Sequence, residues 1–446
     1  MYKIILFSLL VFVLLETKAQ QTTEDSLDAI SFIQFQNKDF KGLKETVKFA
    51  KTQQIDFYYL HLRAGILAFD NKNYEYAIPH FLDAIDFYPN DSISKEYLFY
   101  SYIYTARNDE AIKYTSNQNA SFQQKIGFEK KKIDFIGFGG GIITTNNIEK
   151  NKNNSFFSQL DDKDQANRTL FENITYGQLF FQNTLKNNLH ILNTFNLFQT
   201  NTLSQAVEIN PEMKPPTESS ATKMHYQYNL NINFSTKKMW NIASGFGYFK
   251  INSSNLYFLN DSLTQTVSIQ QNNQSIHSFL GSFTFSKRIK NFIPYLQTSI
   301  SNLNSSKQLQ AEIGMTYYPL GNYNFYGTSA VALLKNDKLN NAIFTQKIGF
   351  KLTSWWWNDL NFQIGNLYNY NSNNGIVTYN TLDPIKLNFG FTSNFYIKKH
   401  LQLNLGYDFQ KRTITISQQK LPENTYSLIN SNYFTHSIKT TLLWNF

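Results

Sequence analysis

Histidine is the residue type in this chain with the broadest chemistry, because imidazole serves in acid–base catalysis and in metal binding. The chain has 7 His and no Cys, which excludes thiol catalysis, disulfides and Cys-ligated zinc. His61 and His80 fall in a region of helical periodicity, and neither shows an acidic or histidine companion at helical spacing. They are therefore interpreted as buried or surface histidines, and no metal site or cofactor is predicted.

The other histidines examined for chemistry follow a strand pattern. His190 and His225 alternate with the polar positions, whereas His277 and His436 alternate with the apolar positions. No spacing pairs them with a nucleophile or a carboxylate, as a catalytic triad requires. Gly139–Gly141 follow a strand pattern, but the helix that a phosphate loop needs does not come after them. The chain is predicted not to be an enzyme.

The composition is unusual for a soluble enzyme. Charged residues make up 16%, below the roughly 25% of ordinary soluble domains, and aromatic residues also make up 16%, with 40 Phe and 28 Tyr. The mean hydropathy is only −0.39, because uncharged polar residues fill the remaining positions. This balance is typical of strands with one face in lipid and the other in water. The net charge of +9 is spread without a basic cluster, so no nucleic-acid partner is predicted.

The first twenty residues predict a secretory signal peptide over 1–19. Lys3 supplies a positive start, Ile4–Leu15 form an apolar run, and Ala19 is a small residue before the predicted cleavage point. The alternative is a membrane anchor, but the run is shorter than the roughly 20 apolar residues that span a bilayer. The sequence after it shows no longer apolar run, so strands are expected to make any membrane crossing.

Segment 20–118 shows a repeat of 34 residues, since "NKDF" at 37–40 recurs as "NKNY" at 71–74. This period is that of the tetratricopeptide repeat, a pair of packed helices. The segment resembles that family at a small residue, three core positions and a proline that ends the second helix: Gly65, Ala77, Phe81, Ala84 and Pro89. The alternative is a plain helical hairpin domain with accidental spacing.

The resemblance implies a concave surface that binds a protein or peptide. Residues 119–131 are expected to be a linker. From about residue 132 the periodicity changes from 3.6 to 2, as in "MHYQYNLNINF" at 224–234. About fourteen strands are predicted over 132–446, joined by tight turns that alternate mostly with longer loops, as in outer-membrane barrels. The long loops are expected at 146–168, 204–221, 254–274, 371–383 and 414–431.

The last strand ends on aromatic residues, which resembles the signal that the barrel assembly machinery reads in outer-membrane proteins. Its residues here are Leu442, Trp444 and Phe446. A closed barrel also explains this ending, because the last strand must pair with the first. Inward-facing charged residues form a possible selectivity lining, the alternative being ordinary solvated or paired side chains: Lys347, Lys351, Lys386, Asp408 and Arg412.

The predicted fold is α + β multidomain, with a short helical repeat domain followed by an antiparallel transmembrane barrel. This architecture resembles surface lipoprotein assembly modifiers, exopolysaccharide export porins and YaiO-type proteins. The resemblance implies an outer-membrane protein with its helices in the periplasm, in contact with membrane lipid and with a periplasmic protein or peptide. Help in the export or surface assembly of a partner is the leading hypothesis. The alternatives are an exopolysaccharide export channel and a structural envelope protein, the last of which a loop-filled lumen would favour.

Overall fold

The computed structural model describes residues 24–128, 131–145, 164–186, 188–208, 217–236, 239–261, 266–336, 340–398, 400–420 and 425–446. The predicted signal peptide lies outside these residues. The chain divides into two compact units. One comprises residues 1–130 with the short segment 318–324, and the other comprises 131–317 with 325–446.

The first unit contains seven helices in its described part. They are α1 (24–36), α2 (Phe40–Thr52), α3 (Tyr58–Asp70), α4 (Tyr74–Phe87), α5 (Ser92–Tyr104), α6 (Asn108–Ser116) and α7 (Ala120–Lys125). The last of them lies in the segment that the sequence predicts as a linker. Among the described residues, no helix is both long enough and apolar enough to cross a bilayer.

Local signals in the sequence set the helix boundaries. Asp39 accepts a hydrogen bond from the backbone N–H of Gly42 at 2.8 Å, and Asp91 caps the start of α5 in the same way. Such side chains bind N–H groups that the first helical turn leaves unpaired. Helix α4 ends at Phe87, two residues before Pro89.

Small residues bring α3 and α4 close together. A Cβ added at Gly65 on α3 would lie 2.6 Å from the ring of Phe81 on α4, so glycine leaves the space that the ring fills. The predicted motif positions Ala77 and Ala84 are fully buried, as is Phe81. Gly65 and Phe81 therefore form a close contact between the two helices.

The second unit is a closed antiparallel barrel of fourteen strands, which confirms the predicted fold class. Its strands are β1 (Ile133–Thr145), β2 (Asp164–Lys186), β3 (Leu189–Glu208), β4 (Thr217–Ser235), β5 (Trp240–Asp261), β6 (Thr266–Lys287), β7 (Phe292–Ser301), β8 (Gln308–Tyr317), β9 (Phe325–Asn336), β10 (Asn340–Thr353), β11 (Trp356–Gly365), β14 (Ile385–Lys398), β15 (Leu401–Lys420) and β16 (Thr425–Asn445). A small hairpin of β12 (Asn371–Ser372) and β13 (Val377–Thr378) lies between β11 and β14.

The barrel closes where β16 pairs with β1. Leu442 lies opposite Phe138 and Trp444 lies opposite Ile136. The backbone N–H of Phe446 donates to the carbonyl of Asp134 at 3.0 Å. The predicted terminal signal therefore lies on the closing strand, with its apolar side chains exposed on the outer face.

The barrel is apolar outside and polar inside. Along β4, Gln227, Asn229 and Asn231 are buried, whereas Ile232 and Phe234 are exposed on the other face. The same contrast holds on other strands, where the exposed apolar residues include Phe138, Leu179, Phe246, Phe283, Ile300, Ile313, Leu333, Phe389 and Ile438. A soluble barrel would show the opposite arrangement, and an apolar band around a polar interior is the pattern of strands that face lipid.

Four of the predicted long loops are wrong in extent. Of the loop predicted at 146–168, residues 146–163 lie outside the described residues and 164–168 belong to β2. Segments 204–221, 254–274 and 414–431 consist mostly of strand, because β3 through β6 and β15 and β16 run on past the predicted boundaries. The extended part of β2 pairs with β15 over Asn167 and Ser417. In the closed barrel, β1 and β16 lie between β2 and β15. The pairing of β2 with β15 therefore joins two strands that are not neighbours in the rest of the barrel.

Candidate functional site: a loop across the lumen

The segment between β11 and β14, residues 366–384, enters the barrel and is called the lumen loop. Its base packs against the inner wall, where Leu367 and Tyr370 are almost completely buried. They form one apolar cluster with Ala332 of β9, Ile343 of β10 and Ile385 of β14. The loop is therefore anchored inside the barrel by apolar contacts on three strands.

Beyond this base, the loop binds β8 through an amide pair. The side-chain carbonyl of Gln310 accepts the backbone N–H of Asn371 at 3.1 Å. The Gln310 amide returns a hydrogen bond to the backbone carbonyl of Asn371 at 2.7 Å. The Asn371 side chain also donates to the hydroxyl of Ser299 on β7 at 2.8 Å. These contacts reproduce the two-way bonding of paired strands and fix the loop's register against the wall.

The tip of the loop reaches the far wall. The backbone N–H of Asn374 donates to Gln297 of β7 at 3.3 Å, and its side-chain oxygen accepts from Thr284 of β6. A Cβ added at Gly245 on β5 would lie 2.1 Å from the backbone carbonyl of Asn374. In the order of the wall, β5 stands seven places from β14 in a ring of fourteen strands. The loop thus contacts opposite sides of the wall, and the strands that it contacts in between, β8, β7 and β6, are successive neighbours in the ring.

A carboxylate joins the loop to the wall. Glu312 on β8 is 5% exposed. It accepts one hydrogen bond from Tyr370 of the lumen loop at 2.7 Å and another from Tyr295 of β7 at 2.8 Å. The ammonium of Lys347 is attracted by Glu312 and by Asp359 of β11. Both oxygens of the carboxylate are therefore occupied, one by the loop and one by the wall.

The structure places the five predicted lining residues differently. Lys347 lies in the lumen among carboxylates, and Asp408 accepts Lys439 at 2.8 Å. Arg412 is 1% exposed, donates to Gln410 and lies over the ring of Phe171, 4.9 Å from its centroid. The other two predicted residues lie elsewhere. Lys351 is exposed beside the ring of Trp357, and Lys386 is the extra residue of a β-bulge in β14.

One prediction about the histidines is wrong. His190 has a carboxylate partner, because its Nδ1 lies 3.6 Å from Asp134 and 2.7 Å from the hydroxyl of Thr184. His277 and His436 do lie on the outer face, each against a tyrosine hydroxyl, at 2.9 Å and 2.7 Å. Strand register, which pairs residues far apart in the chain, creates these contacts.

The helical unit holds a second cluster, which the sequence analysis missed. The Nδ1 atoms of His61 on α3 and His80 on α4 lie 2.9 Å apart. Asp83 lies 3.4 Å from the same atom of His61, and Asp56 contacts the other nitrogen of that ring. Burial, followed by the charge of His61, lowers the pKa of His80 to about 4. The sequence signal was the spacing of three residues between His80 and Asp83, which places them on one helix face.

No protein-family model matches the chain, and no curated relative matches it. The chain is similar to several solved structures. The toluene transporter TodX of Pseudomonas putida shares 7% identity, with a TM-score of 0.45, 74% of this chain and 93% of that chain covered. A Pseudomonas aeruginosa FadL homologue shares 8%, with a TM-score of 0.42 and coverage of 78% and 94%. A bacterial polysaccharide outer membrane secretin shares 8%, with a TM-score of 0.37 and coverage of 71% and 100%. Likenesses of this degree carry no statement about function.

Proposed function

We propose that this protein is an outer-membrane barrel that holds a partner-binding helical domain in the periplasm, with its lumen closed at rest. The inverted polarity of the wall supports the membrane location. An even strand number supports the placement of the helices, because β1 begins and β16 finishes at the same end of the barrel. In outer-membrane barrels that end faces the periplasm.

The observation that carries the closed lumen is the contact of Asn374 with the wall at Gly245. A loop held inside the barrel against the wall from β14 to β5 occupies part of the lumen, so a freely open pore is not the function that the geometry favours. Anchoring of a partner at the membrane through the helical domain needs no passage through the barrel. The structural hypothesis is therefore the one that the lumen supports best.

Export or surface assembly of the partner is the second candidate function. It is favoured by the chemistry of the loop's attachment, since amide and hydroxyl groups hold its middle and its tip. Water or a polar polymer offers equivalent hydrogen bonds, so each contact adds only about 0.5–1.5 kcal/mol to the closed state. Displacement of the loop would then open the lumen.

An exopolysaccharide channel fits the described lumen less well. A channel for a charged polymer needs a lining of one sign, opposite to that of the polymer. Among the described lumen residues, the carboxylate of Asp408 binds Lys439, and Lys347 is attracted by Glu312 and Asp359. Charges of both signs therefore lie together at those positions.

A crosslinking pull-down from intact cells tests the proposal, with full-length protein compared with a variant lacking residues 24–118. Loss of one envelope protein with the deletion supports partner binding, whereas an unchanged set of captured proteins contradicts it. Planar-bilayer recording of the full chain and of a variant with 370–380 replaced by a short Gly/Ser segment separates the two candidates. Export predicts that adding the captured partner opens the full-length protein, whereas anchoring predicts no current with or without it.

A further inference from the structure

We infer that the helical unit binds one divalent first-row metal ion, of which Zn²⁺ fits best, through His61, His80 and Asp83. The ligand atoms of these three side chains all lie within 4.8 Å of one another. The ion would join α3, which carries His61, to α4, which carries the other two ligands. The inference is independent of the proposed function of the barrel.

The ring of His61 is oriented for binding. Its Nε2 faces the carboxylate of Asp56, and a carboxylate accepts hydrogen bonds but donates none when ionised. Nε2 of His61 therefore carries a proton, and in the neutral ring the free electron pair lies on Nδ1. A carboxylate on the distal nitrogen is the usual partner of a metal-ligating histidine, because it fixes the tautomer and strengthens the ligand.

Three potential ligand atoms, from His61, His80 and Asp83, meet at this point. The bare Nδ1 of His61 lies 2.9 Å from Nδ1 of His80 and 3.4 Å from a carboxylate oxygen of Asp83. While the ring of His61 is neutral, a proton on His80 satisfies the first contact but leaves the electron pairs of His61 and Asp83 facing each other; a second proton on His61 or a bound cation removes that conflict. A cation among the three atoms satisfies both contacts.

The distances suit a tetrahedral ion after a small adjustment. With Zn–N bonds of about 2.0–2.1 Å, two ligand atoms of a tetrahedral site lie about 3.3 Å apart. The separation between His61 and Asp83 has this value, whereas the two histidine nitrogens must move apart by about 0.4 Å from their 2.9 Å spacing. Two imidazoles and one carboxylate form a ligand set that such ions bind readily.

The site is open to solvent on one side and is otherwise lined by aromatic rings. The side chain of Asp83 is 48% exposed, whereas that of His61 is only 9% exposed. The ring of Phe87 stacks on His61, with centroids 6.2 Å apart, and the ring of Tyr76 lies against His80 at 4.7 Å. The aromatic rings restrict the imidazoles, and Asp83 is the side from which an ion enters.

The test is a Co²⁺ titration of the full chain in detergent micelles after treatment with EDTA and dialysis. We expect saturation at one equivalent, the visible absorption of four-coordinate Co²⁺, and its displacement by Zn²⁺. Asp83→Asn keeps the shape of a half-exposed side chain and should abolish saturable binding. Asp56→Asn should weaken binding by about 10- to 100-fold, because it removes the group that orients the ligand. His277→Gln, a barrel histidine outside the cluster, should bind as the unaltered chain does.

The folding state of each variant is checked by far-UV circular dichroism. Zn²⁺ should raise the melting temperature of the helical signal in the unaltered chain and leave that of Asp83→Asn unchanged. Unaltered binding in Asp83→Asn would overturn the inference. So would the absence of stoichiometric binding in the unaltered chain, which would mean that the cluster is a hydrogen-bonded histidine pair only.

Discussion

Removal of one hydroxyl from the lumen loop should open the barrel more often. Tyr370→Phe deletes the hydrogen bond that the loop makes to the carboxylate of Glu312 at 2.7 Å. A hydrogen bond to a charged group contributes about 1.5–3 kcal/mol, and Tyr370 is 1% exposed, so water does not readily replace the lost donor. Since 1.4 kcal/mol corresponds to a factor of ten, the ratio of open to closed states should rise about 10- to 150-fold.

Single-channel recording in planar bilayers measures this ratio as the fraction of time spent conducting. Tyr295→Phe is the matched control, because it removes the other hydrogen bond to Glu312, at 2.8 Å, without touching the loop. Equal effects of the two substitutions would refute the reasoning, since the control disturbs only the wall. An unchanged open fraction in Tyr370→Phe would refute it as well.

Three further predictions concern stability and assembly. The pKa of His80 is lowered to about 4 from an ordinary 6.5, so between these pH values the unfolded chain binds a proton that the folded chain does not. The free energy of unfolding of the helical unit should therefore fall by about 2 kcal/mol between pH 7 and pH 5. Circular dichroism melts with EDTA present measure this fall, and His80→Gln should flatten it. Gly65→Val should lower the free energy of unfolding of the same unit by about 1–3 kcal/mol, because the new side chain meets Phe81; an unchanged melt would contradict this packing. Trp444→Ser should reduce the fraction of protein that migrates on gels as a heat-resistant folded barrel, because Trp444 lies on the closing strand. Lys398→Ser should leave this fraction unchanged.

Much of the barrel follows from the sequence, because alternation survives wherever one face meets lipid and the other does not. The pattern at 224–234 is clear since amides such as Asn229 point inward and residues such as Phe234 point outward. Fourteen strands and the closing pair of the first and last strands were both predictable on this basis. Signals for helix boundaries, such as Asp91 before α5, are equally local.

Strand ends were less predictable, because the contrast between an apolar face and a polar face is weaker there. In the upper part of β3 both faces are buried, since Leu203 and Ser204 are each less than 5% exposed. Alternation disappears when both faces meet protein, and the segment then resembles a polar loop. The prediction of a loop beginning at residue 204 failed for this reason.

The lumen loop itself carries only a weak sequence signal. Its stretch "YNYNSNNGIVTYN" at 368–380 indicates a turn, with Gly375 at a positive φ of 83°. That the turn lies inside the barrel depends on Gln310 and Gly245, which are 61 and 129 residues from their partners Asn371 and Asn374 in the chain. Contacts over such separations come from the strand order, which local patterns do not encode.

The position of the loop tip can be measured most directly by disulfide trapping. The chain has no cysteine, so Thr284→Cys with Asn374→Cys introduces a single pair at two side chains that are in contact. The lumen loop predicts rapid crosslinking by a mild oxidant in intact outer membranes, whereas a pair at Asn374 and Ser437, a buried position on β16, should remain reduced. If the first pair stays reduced, and both thiols react with a membrane-impermeant maleimide, the loop tip does not contact β6 and the closed-barrel account is contradicted.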